Sequence, residues 1–142
     1  MKNIYLLDTN IISLATKPEP DQKLISNLEL HSQNCCISSI TWYELCNGVG
    51  LLPEGKKKEK LISFLYDYVY PSFPIIPYDD HAAFMHAEIT KKLIPEGKPT
   101  PILDTQIASI AIANNLILVT DNIKDFKFVS ESFNLMLENW RK

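Results

Sequence analysis

The sequence has 142 residues, 46% hydrophobic and 22% charged, so it can bury one sizeable core but not two, and we predict a single domain over residues 1–142. The composition excludes a disordered chain, a fibrous repeat and a disulfide-stapled miniprotein. A net charge of −3, with Arg141 as the only arginine, argues against nucleic-acid binding through a broad basic surface.

Strands and helices alternate along the chain. Continuous apolar runs predict parallel strands, because a strand covered on both faces is apolar at every position. In chain order the predictions are a strand at 3–7, a helix at 22–31 capped by Asp21, a strand at 35–38, a helix from Ser39 or Thr41 to 49, a helix at 54–69, a strand at 74–77, a helix from Asp79 or Asp80 to 93, a helix from 101, a strand at 116–120 and an edge strand at 135–137. This order predicts an α/β fold of three layers, with helices on both faces of a central parallel sheet of four to five strands.

The helix that begins near residue 101 has clear start signals. Thr100 can serve as its N-cap, and Pro101 at the first helical position is already locked near helical φ. Asp104 then lies in the first turn, at the edge of the sheet where the preceding strands end.

Acidic residues occupy the places where a parallel sheet binds ligands, which are the carboxyl ends of its strands. Asp8 and Asp121 each follow a predicted strand, and Glu44 and Asp104 lie in early turns of helices that begin at the same edge. Clustered carboxylates repel one another unless they share a cation. Hard oxygen ligands without His or Cys select Mg²⁺ or Mn²⁺, whose bound waters can hydrolyse phosphodiesters.

Each of these acids also has a purely structural interpretation. Asp8 can cap the helix that follows it, Glu44 can form a capping box with Thr41, and Asp104 can complement a helix dipole. Asp121 and Asp125 can be turn residues in the segment TDNIKDF. Spacing alone leaves both interpretations open.

Four segments resemble PIN-domain toxins of the VapC type. They are LLDTNIIS at 6–13, SSITWYEL at 38–45, LDTQIASIA at 103–111 and VTDNIKDF at 119–126, and the stretch from Asp8 to Lys58 is most similar to the FitB-like branch. The resemblance implies an endoribonuclease dependent on Mg²⁺ or Mn²⁺, a cognate antitoxin that covers the acidic groove, and a homodimer. Candidates for the dimer interface are the aromatic residues Tyr66, Tyr68, Tyr70 and Phe73, although spacing alone does not separate interface from core.

Asp8, Glu44 and Asp104 match the three main acidic positions of that family. Where many members carry a fourth acid, this chain has Asn122, with Asp121 before it and Asp125 after it. We therefore predict Asp8, Glu44, Asp104 and Asp121 as metal ligands, with Asn122 and Asp125 as further catalytic candidates.

The remaining sequence features fit this prediction. Cys35, Cys36 and Cys46 have no zinc-site or disulfide pattern, and no run approaches the ~20 apolar residues of a membrane span, so we expect a cytoplasmic protein with no membrane contact. RNA as the substrate is what the resemblance implies. The alternative is a non-catalytic PIN-like module that binds RNA or a protein. A phosphohydrolase of the haloacid-dehalogenase type is disfavoured, because Asn10 occupies the place of its second aspartate.

Overall fold

The central sheet of the computed structural model has five parallel strands, and the structure describes residues 2–98 and 100–141. The strands are β1 (Tyr5–Leu7), β2 (Cys35–Ser38), β3 (Ile75–Ile76), β4 (Ile117–Val119) and β5 (Leu137–Glu138). Their spatial order is β3-β2-β1-β4-β5, and Tyr5 is in register with Cys35 on one side and Ile117 on the other. The predicted α/β fold and parallel sheet are confirmed.

Helices cover both faces of the sheet. They are α1 (Thr9–Ala15), α2 (Gln22–Leu30), α3 (Ser39–Gly50), α4 (Lys56–Phe64), α5 (Tyr70–Ser72), α6 (Asp80–Leu93), α7 (Ile102–Ala113) and α8 (Lys127–Phe133). Asp21 and Asp79 cap α2 and α6, since each carboxylate accepts a hydrogen bond from the backbone two or three residues into the helix. Among the described residues, no helix combines the length and apolarity needed to cross a membrane.

Two apolar clusters, one on each face of the sheet, hold the three layers together. Leu6 and Leu118 pack into one cluster with α6, α7 and α8, whereas Leu7 and Val119 pack into the other with α1 and α2. Neighbouring strand residues point to opposite faces, so each of the strands β1 to β4 supplies both clusters. Burying one such side chain is worth roughly 1.5–3 kcal/mol, which fixes the strand ends in space.

Three local predictions were wrong. Ser38, rather than Ser39 or Thr41, caps α3, because its Oγ accepts from Thr41 N at 2.9 Å. The last long helix begins at Ile102, because Pro101 keeps an extended ψ of 144° and so becomes the N-cap in place of Thr100. The predicted helix at 54–69 is interrupted by a π-helical turn over Leu65–Val69.

Candidate functional site

Asp8 lies directly after the central strand, where its carboxylate is held by its neighbours. Oδ1 accepts from Thr9 N and Oδ2 accepts from Thr120 Oγ1, both at 2.8 Å, and the residue is only 5% exposed. Burial raises the pKa of Asp8; these two hydrogen bonds lower it, while the negative charges of Glu44 and Asp125 raise it further. Asp8 is therefore the N-cap of α1 and also a carboxylate crowded by other acids.

Glu44 reaches the same region from α3. Its Oε1 accepts a hydrogen bond of 2.7 Å from the hydroxyl of Thr9, which also lies 3.1 Å from Thr41 Oγ1. The predicted alternative of a capping box is wrong, since Ser38 rather than Glu44 satisfies the start of α3. Thr9, the residue after Asp8, thus contacts both acids: its N–H binds the carboxylate of Asp8 and its hydroxyl binds the carboxylate of Glu44.

Asp104, in the first turn of α7, is the third acid that the structure brings to this region. Its pKa is raised to about 6, first by burial and then by the negative charges of Asp8, Asp125 and Glu44. This result places four acids from distant segments within electrostatic reach of one another. We call Asp8, Glu44, Asp104 and Asp125 the acidic cleft.

Asp121 does not join the acidic cleft, although it too follows a strand. Its Oδ2 accepts from Arg141 Nη1 at 2.9 Å and its Oδ1 from Asn139 Nδ2 at 3.4 Å. It is absent from the causes that raise the pKa values of Asp8 and Asp104, whereas Asp125 is present in both. Asn122 is exposed and contacts Thr120 Oγ1 through its backbone N–H.

The acidic cleft has the donor chemistry that Mg²⁺ or Mn²⁺ prefers, namely carboxylate oxygens without nitrogen or sulfur ligands. Within residues 2–98 and 100–141, no three His, Cys, Asp or Glu side chains are close enough to enclose an ion by themselves. An open set of carboxylates fits Mg²⁺, which keeps several waters and uses few protein ligands.

Sequence reasoning overlooked the residues that connect the acids. Thr120 is fully buried and its Oγ1 contacts Asp8, Asn122 N and, at 3.4 Å, Asn10 Nδ2. Asn10 Oδ1 in turn accepts from Asp121 N at 3.3 Å. The available signal was a hydroxyl residue and an asparagine close to each strand-end aspartate, in DTN at 8–10 and TDN at 120–122.

A groove of about 280 Å³ opens beside Glu44, between α1, α3 and α4. Its walls are mainly apolar, with Ile12, Leu45 and Phe64 among them, and Thr9 and Lys57 also line it. The acidic cleft is therefore continuous with an apolar recess through Thr9 and Glu44.

The five-stranded parallel sheet and the acids at its carboxyl edge define a PIN domain. The PIN domain family model matches residues 5–131, and the chain belongs to this family. Ribonuclease VapC2 of Rickettsia felis is 42% identical over 141 residues, which cover 98% of this chain and 99% of the relative. Toxin FitB of Neisseria gonorrhoeae is 35% identical, over 87% of this chain and 91% of the relative.

A solved structure agrees with these sequence relatives. The crystal structure of VapBC2 from Rickettsia felis bound to a DNA fragment from their promoter superposes with a TM-score of 0.82 at 40% identity, over 96% of this chain and 98% of that chain. The resemblance to VapC-type and FitB-like PIN toxins noted from the four sequence segments is confirmed.

Proposed function

We propose that this chain is an endoribonuclease that acts as the toxin of a toxin–antitoxin pair and hydrolyses RNA with the help of Mg²⁺ or Mn²⁺. The observation that carries the proposal is the acidic cleft, in which the pKa of Asp104 is raised to about 6 by burial and by three neighbouring carboxylates. The ribonuclease and toxin names of the relatives favour this function over a non-catalytic binding module.

Asp8, Glu44 and Asp104 would hold the metal, which when bound supplies an activated water and neutralises charge on the phosphate. Asp8 is fixed for this task by Thr9 N and Thr120 Oγ1, and Glu44 by the hydroxyl of Thr9. We assign the fourth acidic position to Asp125 in place of Asp121, because the charge of Asp125, unlike that of Asp121, raises the pKa of both Asp8 and Asp104.

The antitoxin is the partner that the site favours in the cell. The acidic cleft offers negative charge and the adjoining groove offers apolar walls, so a segment with one basic and several apolar side chains would cover both. We propose that the protein is cytoplasmic and forms a homodimer through the exposed aromatics Tyr66, Tyr68 and Tyr70. Phe73, the other predicted candidate, is buried in the core and is not available for an interface.

The decisive experiment is cleavage of bulk RNA by the purified chain. We expect cleavage with Mg²⁺ or Mn²⁺, none with EDTA, and a loss of at least about 100-fold in Asp104→Asn, because that variant removes a charged ligand without changing shape. Asp121→Asn is the matched control for the metal ligands and should retain kcat within about threefold at saturating RNA.

Expression of the active chain should also arrest growth, and co-expression of the protein encoded beside it should relieve the arrest. Unchanged cleavage by Asp104→Asn, or full activity in EDTA, would overturn the proposal. Tight RNA binding without cleavage under any divalent ion would favour the non-catalytic alternative.

A further inference from the structure

Arg141 lies at the sheet edge that carries the acidic cleft. It follows β5, and because all five strands are parallel, the carboxyl ends of β1, β4 and β5 share one edge. The cleft itself repels RNA through four carboxylates, so the phosphates beside the cut need a cation near this edge. The lysine-rich start of α4 is one source, although Lys58 there already pairs with Glu54 at 2.9 Å.

The guanidinium of Arg141 is held in place by a network. Nη1 donates to Asp121 Oδ2 at 2.9 Å, and the backbone N of Arg141 donates to Asn139 Oδ1 at 2.9 Å. Asn139 Nδ2 reaches the other oxygen of Asp121 at 3.4 Å. Both strand-end residues are therefore committed to fixing one arginine, instead of to the metal.

This network is connected to the acidic cleft through a few hydrogen bonds. Asp121 N donates to Asn10 Oδ1, and Thr120, the residue before Asp121, donates to Asp8 Oδ2. The position of Arg141 is consequently fixed relative to Asp8. An arginine held in this way loses little further freedom when it binds an anion.

Arg141 keeps donors for a ligand. A guanidinium has five N–H groups, the bond to Asp121 uses one of them, and the side chain is 37% exposed. Guanidinium donors form a fork that matches the oxygens of a phosphate.

The packing of the segment around Trp140 does not depend on the charge of Arg141. Trp140 is 4% exposed, packs at 5.1 Å against the ring of Tyr5, and accepts a hydrogen bond at its backbone O from Asn27 Nδ2 at 3.1 Å. These contacts fix the segment whether or not residue 141 carries a charge. The ion pair between Arg141 and Asp121 is partly exposed, and such pairs contribute little to stability.

We propose that Arg141, oriented by Asp121 and Asn139, binds a phosphate of the RNA strand that lies along this edge of the sheet, outside the acidic cleft. It is a substrate-binding residue, and Asp121 is the positioning residue that aims it. This assignment rests on the proposed function, because it takes RNA to be the molecule that enters the acidic cleft.

The test measures binding separately from cleavage. A fluorescein-labelled single-stranded RNA of mixed sequence is titrated with the full chain without divalent ions, and anisotropy gives Kd at several salt concentrations. We expect Arg141→Ala to raise Kd about tenfold and to reduce the slope of log K against log salt by about 0.7, the value for one phosphate contact on a single strand. Arg141→Lys should restore the slope and only part of the affinity, because it keeps the charge and loses the fork.

Lys2→Ala is the matched control, since Lys2 is an exposed cation before β1, at the opposite edge of the sheet. An Arg141→Ala variant with the same Kd and salt slope as wild type overturns the inference, and so does one that loses thermal stability while its salt slope stays unchanged. A chain that binds RNA through Arg141 without cleaving it supports the inference and refutes the proposed function, so the two failures are distinguishable.

Discussion

Asp8 and Asp121 follow neighbouring parallel strands, yet their surroundings are opposite. Both carboxylates accept hydrogen bonds at both oxygens. Asp8 is nearly buried near other acids and its pKa is raised, whereas Asp121 pairs with a cation, the guanidinium of the only arginine in the sequence. A strand-end aspartate is therefore a candidate metal ligand only if its neighbours leave its charge uncompensated. Substitutions that act on one aspartate and spare the other test this contrast.

Metal-dependent stabilisation should separate the two environments most strongly. A cation that binds only the folded chain adds about 2.7 kcal/mol to the free energy of unfolding at 100 times its Kd. We expect Mg²⁺ or Mn²⁺ to raise the melting temperature of wild type and of Asp121→Asn, but not of Asp104→Asn, in thermal unfolding followed by circular dichroism. Equal loss of the metal response in both variants would show that Asp121 belongs to the metal site.

The hydrogen bond between Thr9 and Glu44 should have a smaller effect. Thr9→Val keeps the shape of the side chain and removes the hydroxyl that holds Glu44 at 2.7 Å, so we expect kcat for RNA cleavage to fall about tenfold. Thr16→Val is the control. Thr16 is the C-cap of the helix that begins with Thr9, and among the described residues its hydroxyl contacts only Ser13 O. Equal kcat values for the two variants would remove Thr9 from the site.

The smallest effect concerns stability of the metal-free chain as pH changes. An unfolded Asp104 loses its proton near pH 3.8, whereas the folded chain holds the proton up to about pH 6. The folded state thus binds more protons in this window, and its stability falls as pH rises from 3.8 to 6 and stays reduced above it.

Asp104→Asn removes this cost, so at neutral pH and without metal it should unfold at higher denaturant concentration than wild type. The gain is roughly 1 kcal/mol, because partial exposure of Asp104 screens the repulsion. Asp121→Asn should change stability in the other direction, since it breaks the ion pair with Arg141. A less stable Asp104→Asn variant at neutral pH would contradict the repulsion inferred here.

The main acids were predictable because strong local signals place them. Continuous apolar runs locate β1 and β4, and Pro101 marks the start of α7, so Asp8 and Asp104 come to the same edge even though that helix begins one residue later than predicted. Glu44 was also placed by the helix that follows β2. These signals depend on short stretches of sequence.

The assignment that we propose for the fourth acid, Asp125 in place of Asp121, could not be predicted, because it depends on residues far along the chain. The carboxylate of Asp121 accepts hydrogen bonds from Arg141 and Asn139, which lie 20 and 18 positions later. Asp125 is placed by the short 3₁₀ helix Ile123–Phe126, which is anchored by the fully buried ring of Phe126. The pattern of residues in TDNIKDF predicts neither the hydrogen bonds of Asp121 nor the burial of Phe126. The π-helical turn over Leu65–Val69 was not predicted either, because the spacing of its apolar residues also suits an α-helix.

The central strand β1 is so short that the same three residues determine both the packing of the core and the position of Asp8. Leu6 enters one apolar cluster, Leu7 enters the other, and Asp8 follows at once. Inserting one residue between Tyr5 and Leu6 would send each leucine to the wrong face of the sheet and shift the carboxylate of Asp8 by one pleat. An insertion in this strand would therefore disturb the core packing together with the acidic cleft. Only side-chain substitutions can test the fold and the site separately.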